Sequence, residues 1–168
     1  MGNFKEEVAK IRAFVFDVDG VFTDGRILIT PDGEFLREYS VRDGLAVVRA
    51  VKKGYPIGII SGGHGNQLRR RMEGLGIEHI YTGKESKIES LHHFSEQCGV
   101  PLNEMIYMGD DFPDIPPMRA VRLATAPADA DPTVKGVVHY VSAYPGGRGC
   151  VRDIIEQVLR ARGDWFEY

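Results

Sequence analysis

Three short apolar runs in this chain end on polar residues, and that pattern constrains its fold more than any other feature. Ala13-Phe14-Val15-Phe16 runs into Asp17, Pro56 to Ile60 into Ser61, and Met105 to Met108 into Gly109-Asp110. Apolar runs this short, closed by turn residues, read as buried strands. Stretches with helical periodicity lie between them. Asp43 is expected to N-cap a helix to about Lys53, with Leu45, Val48 and Val51 on one face and Gly54 ending it. Further helices are expected over 65–75, 86–98 and 152–162, and shorter strands near 79–82, 121–125 and 137–141. Strands alternating with helices predict an α/β fold, with helices on both faces of a mainly parallel sheet. Around Pro31-Asp32-Gly33, proline presets φ and glycine accepts positive φ, so a small β-hairpin is expected over about 26–41.

A length of 168 residues predicts a single domain over 1–168, large enough to bury its own core. Hydrophobic residues make up 43% and the formal net charge is -3, with both signs mixed along the chain. That excludes the strongly basic face of a nucleic-acid binder. No stretch approaches the roughly 18 apolar residues of a membrane span, and Met1 to Lys10 is polar, so a cytoplasmic protein is expected. Cys98 and Cys150 are far apart and form no C-x-x-C pair. The adjacent His92 and His93 would point in different directions on a helix, so neither a disulfide nor a zinc site is expected.

In an open parallel sheet, ligands bind beyond the carboxyl ends of the strands. The polar residues sit there. Asp17 and Asp19 are spaced i, i+2, and a turn at Asp19-Gly20 can bring the second carboxylate back toward the first. One carboxylate can attack phosphorus while the other moves protons. The same pair also suits an ordinary turn. A calcium loop does not fit, because Val21 stands where a ligand is needed. After the third run come Asp110, Asp111 and Asp114. Magnesium takes one or two carboxylates plus waters and phosphate oxygens, which Asp17 and Asp110 could supply. Asp111 and Asp114 are expected to cap and orient the next helix. Ser61-Gly62-Gly63 offers a hydroxyl and backbone N–H groups to phosphoryl oxygens, or is a simple glycine turn. Lys87 opens a helix, where it opposes the dipole; it can stabilise equatorial phosphoryl oxygens or merely face solvent.

Taken in order, Asp17-x-Asp19-Gly20-Val21, Ser61, Lys87 and Gly109-Asp110-Asp111-x-x-Asp114 resemble the four motifs of the haloacid dehalogenase superfamily, over nearly the whole chain. The resemblance implies a three-layer Rossmann-like fold and a phosphoaspartate formed on Asp17, with Asp19 as acid and base. It implies that Ser61, Gly62 and Lys87 hold the phosphoryl oxygens. It also implies Mg2+ on Asp17, the Asp19 backbone carbonyl and Asp110, supported by Asp111 and Asp114. A second carboxylate at Asp19 favours a phosphatase over a mutase or dehalogenase.

Neither the interval from Asp19 to Ser61 nor that from Lys87 to Asp110 has room for a cap domain. Something else must close the site, or the substrate must be large; a neighbouring subunit is the economical answer. Ile27, Ile29, Phe35 and Tyr39 of the hairpin offer an association surface. The capless pattern, with Val41-Arg42-Asp43-Gly44 and Gly146-Gly147-Arg148-Gly149-Cys150-Val151-Arg152, is similar to the 3-deoxy-D-manno-octulosonate 8-phosphate phosphatases of lipopolysaccharide-precursor synthesis. This similarity implies a sugar-acid phosphate substrate. It also implies a homotetramer built on the hairpins, with C-terminal tails reaching an adjoining active site. Arg42 and Arg148 are the candidates to pair with the substrate carboxylate. One departure concerns Gly63-His64, where an arginine or glutamate is common in the family. His64 could replace that contact, or face solvent at a helix start. Arg69-Arg70-Arg71 reads as a solvated face, with one arginine able to reach the anionic site. A phosphatase for a nine-carbon sugar-acid phosphate and a non-catalytic oligomerisation module are the competing readings. Trp165-Phe166-Glu167-Tyr168 is aromatic for a chain end, which favours docking.

Overall fold

The computed structural model describes residues 3–83 and 86–166. All four residues of β1 (Ala13–Phe16) are fully buried, so this strand needs apolar cover on both faces. It lies inside a six-stranded, all-parallel sheet made with β4 (Ile57–Ser61), β5 (His79–Thr82), β6 (Met105–Met108), β7 (Leu123–Ala126) and β8 (Tyr140–Val141). The strand order is β5-β4-β1-β6-β7-β8. The chain moves outward from β1 in one direction and then crosses to its other side, which creates a crevice at the carboxyl ends of β1, β4 and β6. Register sharpens this point. Phe16 lies opposite both Ile59 and Met108, so β1 and β6 end at one level while β4 runs two residues further, to Ser61.

One face of the sheet is covered by α1 (Phe4–Val8), α2 (Val41–Lys52), α3 (Asn66–Gly74) and α7 (Cys150–Ala161), packed on Phe14, Phe16, Ile59 and Met108. The other is covered by α4 (Lys87–Cys98), α5 (Ile115–Ala120) and α6 (Pro132–Lys135), packed on Val15, Ile60 and Tyr107. Each fully buried Leu, Ile or Phe contributes about 1.5–3 kcal/mol relative to exposure. The result is the expected three-layer Rossmann-like α/β fold. Among the described residues only the hairpin and α2 separate Asp19 from β4, and no cap domain is inserted.

Several local readings need correction. Ser40, not Asp43, caps α2: its Oγ accepts the Asp43 N–H at 3.3 Å. The helix therefore starts earlier, and the Asp43 side chain is free to work elsewhere. It is fully buried and crosses to the first turn of α7, accepting N–H groups from Gly149 (3.2 Å) and Arg152 (2.8 Å). Gly149 is the N-cap of α7 and has no side chain to cap with, so Asp43 does this from the neighbouring helix. The short helices α1 and α6 are absent from the sequence-based reading, and α5, the helix expected after Asp114, is six residues long. Pro116 and Pro117 look like breakers in α5, but proline fits a helix's first turn, where no N–H is required.

The hairpin is smaller than expected. Its strands β2 (Leu28–Ile29) and β3 (Phe35–Leu36) are two residues each. Ile27, Leu28, Ile29, Phe35 and Leu36 are all exposed. Tyr39 is not part of that surface. It turns inward beneath the Arg71 guanidinium, 5.7 Å from the ring centroid, and neither its hydroxyl nor Arg71 Nε has a hydrogen-bond partner among the described residues. The chain end docks on its own protomer as far as Phe166. Trp165 is buried, Arg49 donates to the Asp164 and Trp165 carbonyls at 2.9 Å each, and Arg152 and Arg160 flank the indole. Glu167 and Tyr168, the last residues of the tail expected to reach an adjoining site, lie outside the described residues. Cys98 and Cys150 are free thiols.

Candidate active site

A cleft of about 390 Å³ opens at the carboxyl ends of β1, β4 and β6, lined among others by Asp17, Asp19, Ser61, Gly62, Lys87 and Asp110. Each arrives there for a local reason. Asp17 is the first residue past β1 and is 6% exposed. Ser61 ends β4, fully buried, with its Oγ accepting the Gly63 N–H at 3.2 Å. Lys87 is the first residue of α4, after the cap Ser86, and is 7% exposed. Its ammonium lies 3.0 Å from Asp17 Oδ2 and 2.7 Å from Asp114 Oδ1. Burial lowers the Lys87 pKa, but the two carboxylates outweigh it and raise it overall, so the cation is retained.

Asp114 and Asp111 also border the cleft, and their hydrogen bonds organise it. The fully buried Asp114 carboxylate accepts from Lys87, from the Tyr107 hydroxyl at 2.7 Å, and from the N–H groups of Asp110 (3.1 Å) and Asp111 (3.3 Å). Asp111 is exposed and closes a capping box with Asp114 over the 3-10 turn Phe112–Asp114.

Asp110 is half-buried against the turn that follows Asp19. Gly20 sits at φ +87°, and a Cβ there would fall 2.0 Å from Asp110 Oδ2. Glycine is required for both reasons. Oxygens of Asp17, Asp110 and Asp114 lie within 4.8 Å of one another. Asp114 is spent on its four donors, whereas Asp17 and Asp110 are crowded carboxylates with too little positive charge. Burial first, and then the Asp114 charge, push Asp17 up to about 8 and Asp110 up to about 7. Two hard oxygen donors so placed, beside the backbone of Asp19-Gly20, fit a hard divalent cation.

Asp19 points into the same cleft and is held by a residue the sequence reading passed over. Arg37 grips it with both arms of its fork, Nε to Oδ1 at 2.7 Å and Nη2 to Oδ2 at 3.1 Å. A partial signal was available. A hairpin turning at 31–33 brings residue 37 back toward residue 27, though its side-chain direction could not be read.

Arg42 and Arg148 are not brought to this cleft. They line a second one of about 660 Å³, with Tyr144, Arg152 and Glu156. Arg42 is on the first turn of α2 and Arg148 just before α7, and the Asp43 cap ties those two ends together away from Asp17. Gly146 has a packing reason: a Cβ there would fall 2.0 Å from the Gly20 carbonyl oxygen, so the 146–147 segment can back directly onto the turn behind Asp19. His64 is exposed beside Gly83 and outside the lining of the cleft.

The comparisons agree with this geometry. The family model for haloacid dehalogenase-like hydrolases matches residues 72–151. The 3-deoxy-D-manno-octulosonate 8-phosphate phosphatase of Yersinia pestis is 36% identical over 157 residues, covering 94% of this chain and 84% of that protein. Its crystal structure superposes with a TM-score of 0.93 at 35% identity, covering 95% of this chain and 86% of that one. The Moraxella catarrhalis phosphatase, solved in complex with a magnesium ion, a phosphate ion and a KDO molecule, superposes with a TM-score of 0.91 at 29% identity, covering 95% and 92%. With this fold, this cleft and these relatives, the chain belongs to the haloacid dehalogenase-like hydrolases, as a phosphoric monoester hydrolase of the capless kind.

Proposed function

We propose that the chain hydrolyses the phosphate monoester of a sugar acid through a phosphoaspartate on Asp17, with magnesium as cofactor and 3-deoxy-D-manno-octulosonate 8-phosphate as the favoured substrate. The observation that carries this reading is the convergence of Asp17, Asp19, Ser61, Lys87 and Asp110 on one cleft. Asp17 attacks phosphorus while the ester P–O bond breaks, and Asp19 gives a proton to the departing alcohol oxygen. Asp19 then takes a proton from water, which attacks phosphorus and breaks the bond to Asp17, releasing inorganic phosphate. Ser61 Oγ, the Gly62 N–H and the Lys87 ammonium hold the equatorial oxygens. Asp17, Asp110 and the Asp19 carbonyl would hold magnesium, whose charge offsets the crowded carboxylates and the phosphoryl group. Asp111 and Asp114 fix the loop that carries Asp110.

The relatives named above support the eight-carbon acid, one of them through the KDO, phosphate and magnesium bound to it. The same reading takes residues 1–168 as one domain, because both apolar layers share one sheet. It also includes a homotetramer assembled through the hairpin, and a cytoplasmic site of action. No helix among the described residues is long and apolar enough to cross a membrane.

Phosphate release from a panel of sugar-acid and simple sugar phosphates, with magnesium and with chelator, tests this. The expected result is a preference of at least about tenfold in kcat/KM for the eight-carbon acid, equivalent to about 1.4 kcal/mol. Chelator should abolish turnover and magnesium restore it. Equal rates across the panel would remove the substrate assignment, and indifference to chelator would remove the metal.

A further inference from the structure

We infer that Arg37 is a positioning residue for Asp19, and that it reaches Asp19 because Gly63 leaves the space between them open. The inference rests on the reading of Asp19 as acid and base. Three observations support it. First, the pair is a bidentate fork, at 2.7 and 3.1 Å, which fixes the plane of a carboxylate and not merely its distance. Second, the Arg37 side chain is only 4% exposed while that of Asp19 is 26% exposed. The guanidinium is the sheltered partner, and the carboxylate is the one presented to the cleft. Third, a Cβ at Gly63 would lie 2.9 Å from Asp19 Oδ2, 3.0 Å from Arg37 Nη2 and 3.3 Å from Ser61 Oγ. Any side chain at 63 would start inside the fork.

Arg37 and Gly63 therefore form one device. The fork occupies one lone-pair direction on each Asp19 oxygen and leaves the others for a proton on the cleft side. Arg37 also stands one residue past β3, so the hairpin is anchored directly to Asp19.

A general acid matters most when the leaving group is poor. A misaimed Asp19 should therefore harm a sugar phosphate, which expels an alkoxide, more than p-nitrophenyl phosphate, which expels a stable phenolate. The measurement is kcat/KM on both substrates for wild type and for Arg37→Ala, Arg37→Lys, Gly63→Ala and Asp19→Asn, with magnesium. Arg37→Ala is expected to lose about 10²-fold on the sugar phosphate and under about tenfold on the aryl phosphate. Free guanidinium should restore part of the loss. Arg37→Lys keeps the charge without the fork and should fall between. Gly63→Ala should show the same bias although Arg37 is intact. If Asp19→Asn shows no leaving-group bias, the acid reading of Asp19 fails. If Asp19→Asn shows it, but Arg37→Ala and Gly63→Ala lose both substrates equally, Arg37 has only a structural role and the inference is overturned.

Discussion

Asp17 and Asp114 are both buried carboxylates on Lys87, yet their surroundings give them opposite capacities. Asp114 accepts four hydrogen bonds and has no oxygen left to react. Asp17 shares Lys87 and otherwise faces the cleft, so its second oxygen is available as a nucleophile. Asp17→Asn should lower turnover by at least about 10³-fold while thermal unfolding stays near that of wild type. The amide removes a charge that burial already disfavours, and Asp114 still holds Lys87. Residual activity within tenfold of wild type would contradict the nucleophile assignment. The positions of Asp17, Ser61 and Asp110 could be read from the sequence because a strand end fixes where the next residue goes. Arg37, Arg42 and Arg148 could not be placed in this way. Arg42 sits at a helix start, Arg148 on a turn and Arg37 just past a two-residue strand, and tertiary packing decides which cleft each enters.

At the scale of elements, α2 and α7 are joined by one carboxylate. The side chain of Asp43 satisfies two N–H groups at the start of α7, which has no cap of its own. Asp43→Ala would leave those half-buried donors without the carboxylate and should cost about 1–3 kcal/mol. For a chain of this size each kcal/mol lowers Tm by about 2–4 °C. Thermal or denaturant unfolding would check this, and a loss below about 0.5 kcal/mol would show that water replaces the carboxylate without penalty. The strong strands and the four longer helices were legible because their periodicities are unambiguous. The site of Asp43 was not. The spacing points to Asp43 as the cap of α2, and only the fold shows that Ser40 takes that role and frees the aspartate. Pro132 hid α6, α1 is too short to show a helical period, and the hairpin strands were overread because the strand-like runs 26–30 and 34–41 extend past the pairing that forms.

For the whole molecule, the hairpin is the part least able to stand alone. Two paired residues per strand make a marginal structure in water. Leu28 and Ile29 are 66% and 63% exposed, and Phe35 and Leu36 are 42% and 40% exposed, so apolar area is open on both faces. A monomer seldom leaves such a patch uncovered. The proposed homotetramer covers it with copies of itself, and closed symmetry lets the same patch serve every protomer. Light scattering at working concentration should give a tetrameric mass for the wild type and a smaller one for Leu28→Glu/Ile29→Glu. A monomeric wild type would contradict the assembly. The hairpin also carries Arg37, so its order is coupled to the aim of Asp19. The charged double variant should therefore lose activity on a sugar phosphate together with its tetrameric mass, even though neither substituted residue lines the cleft. A variant that dissociates but keeps full kcat/KM would show that the hairpin holds Arg37 in place without help from neighbouring subunits.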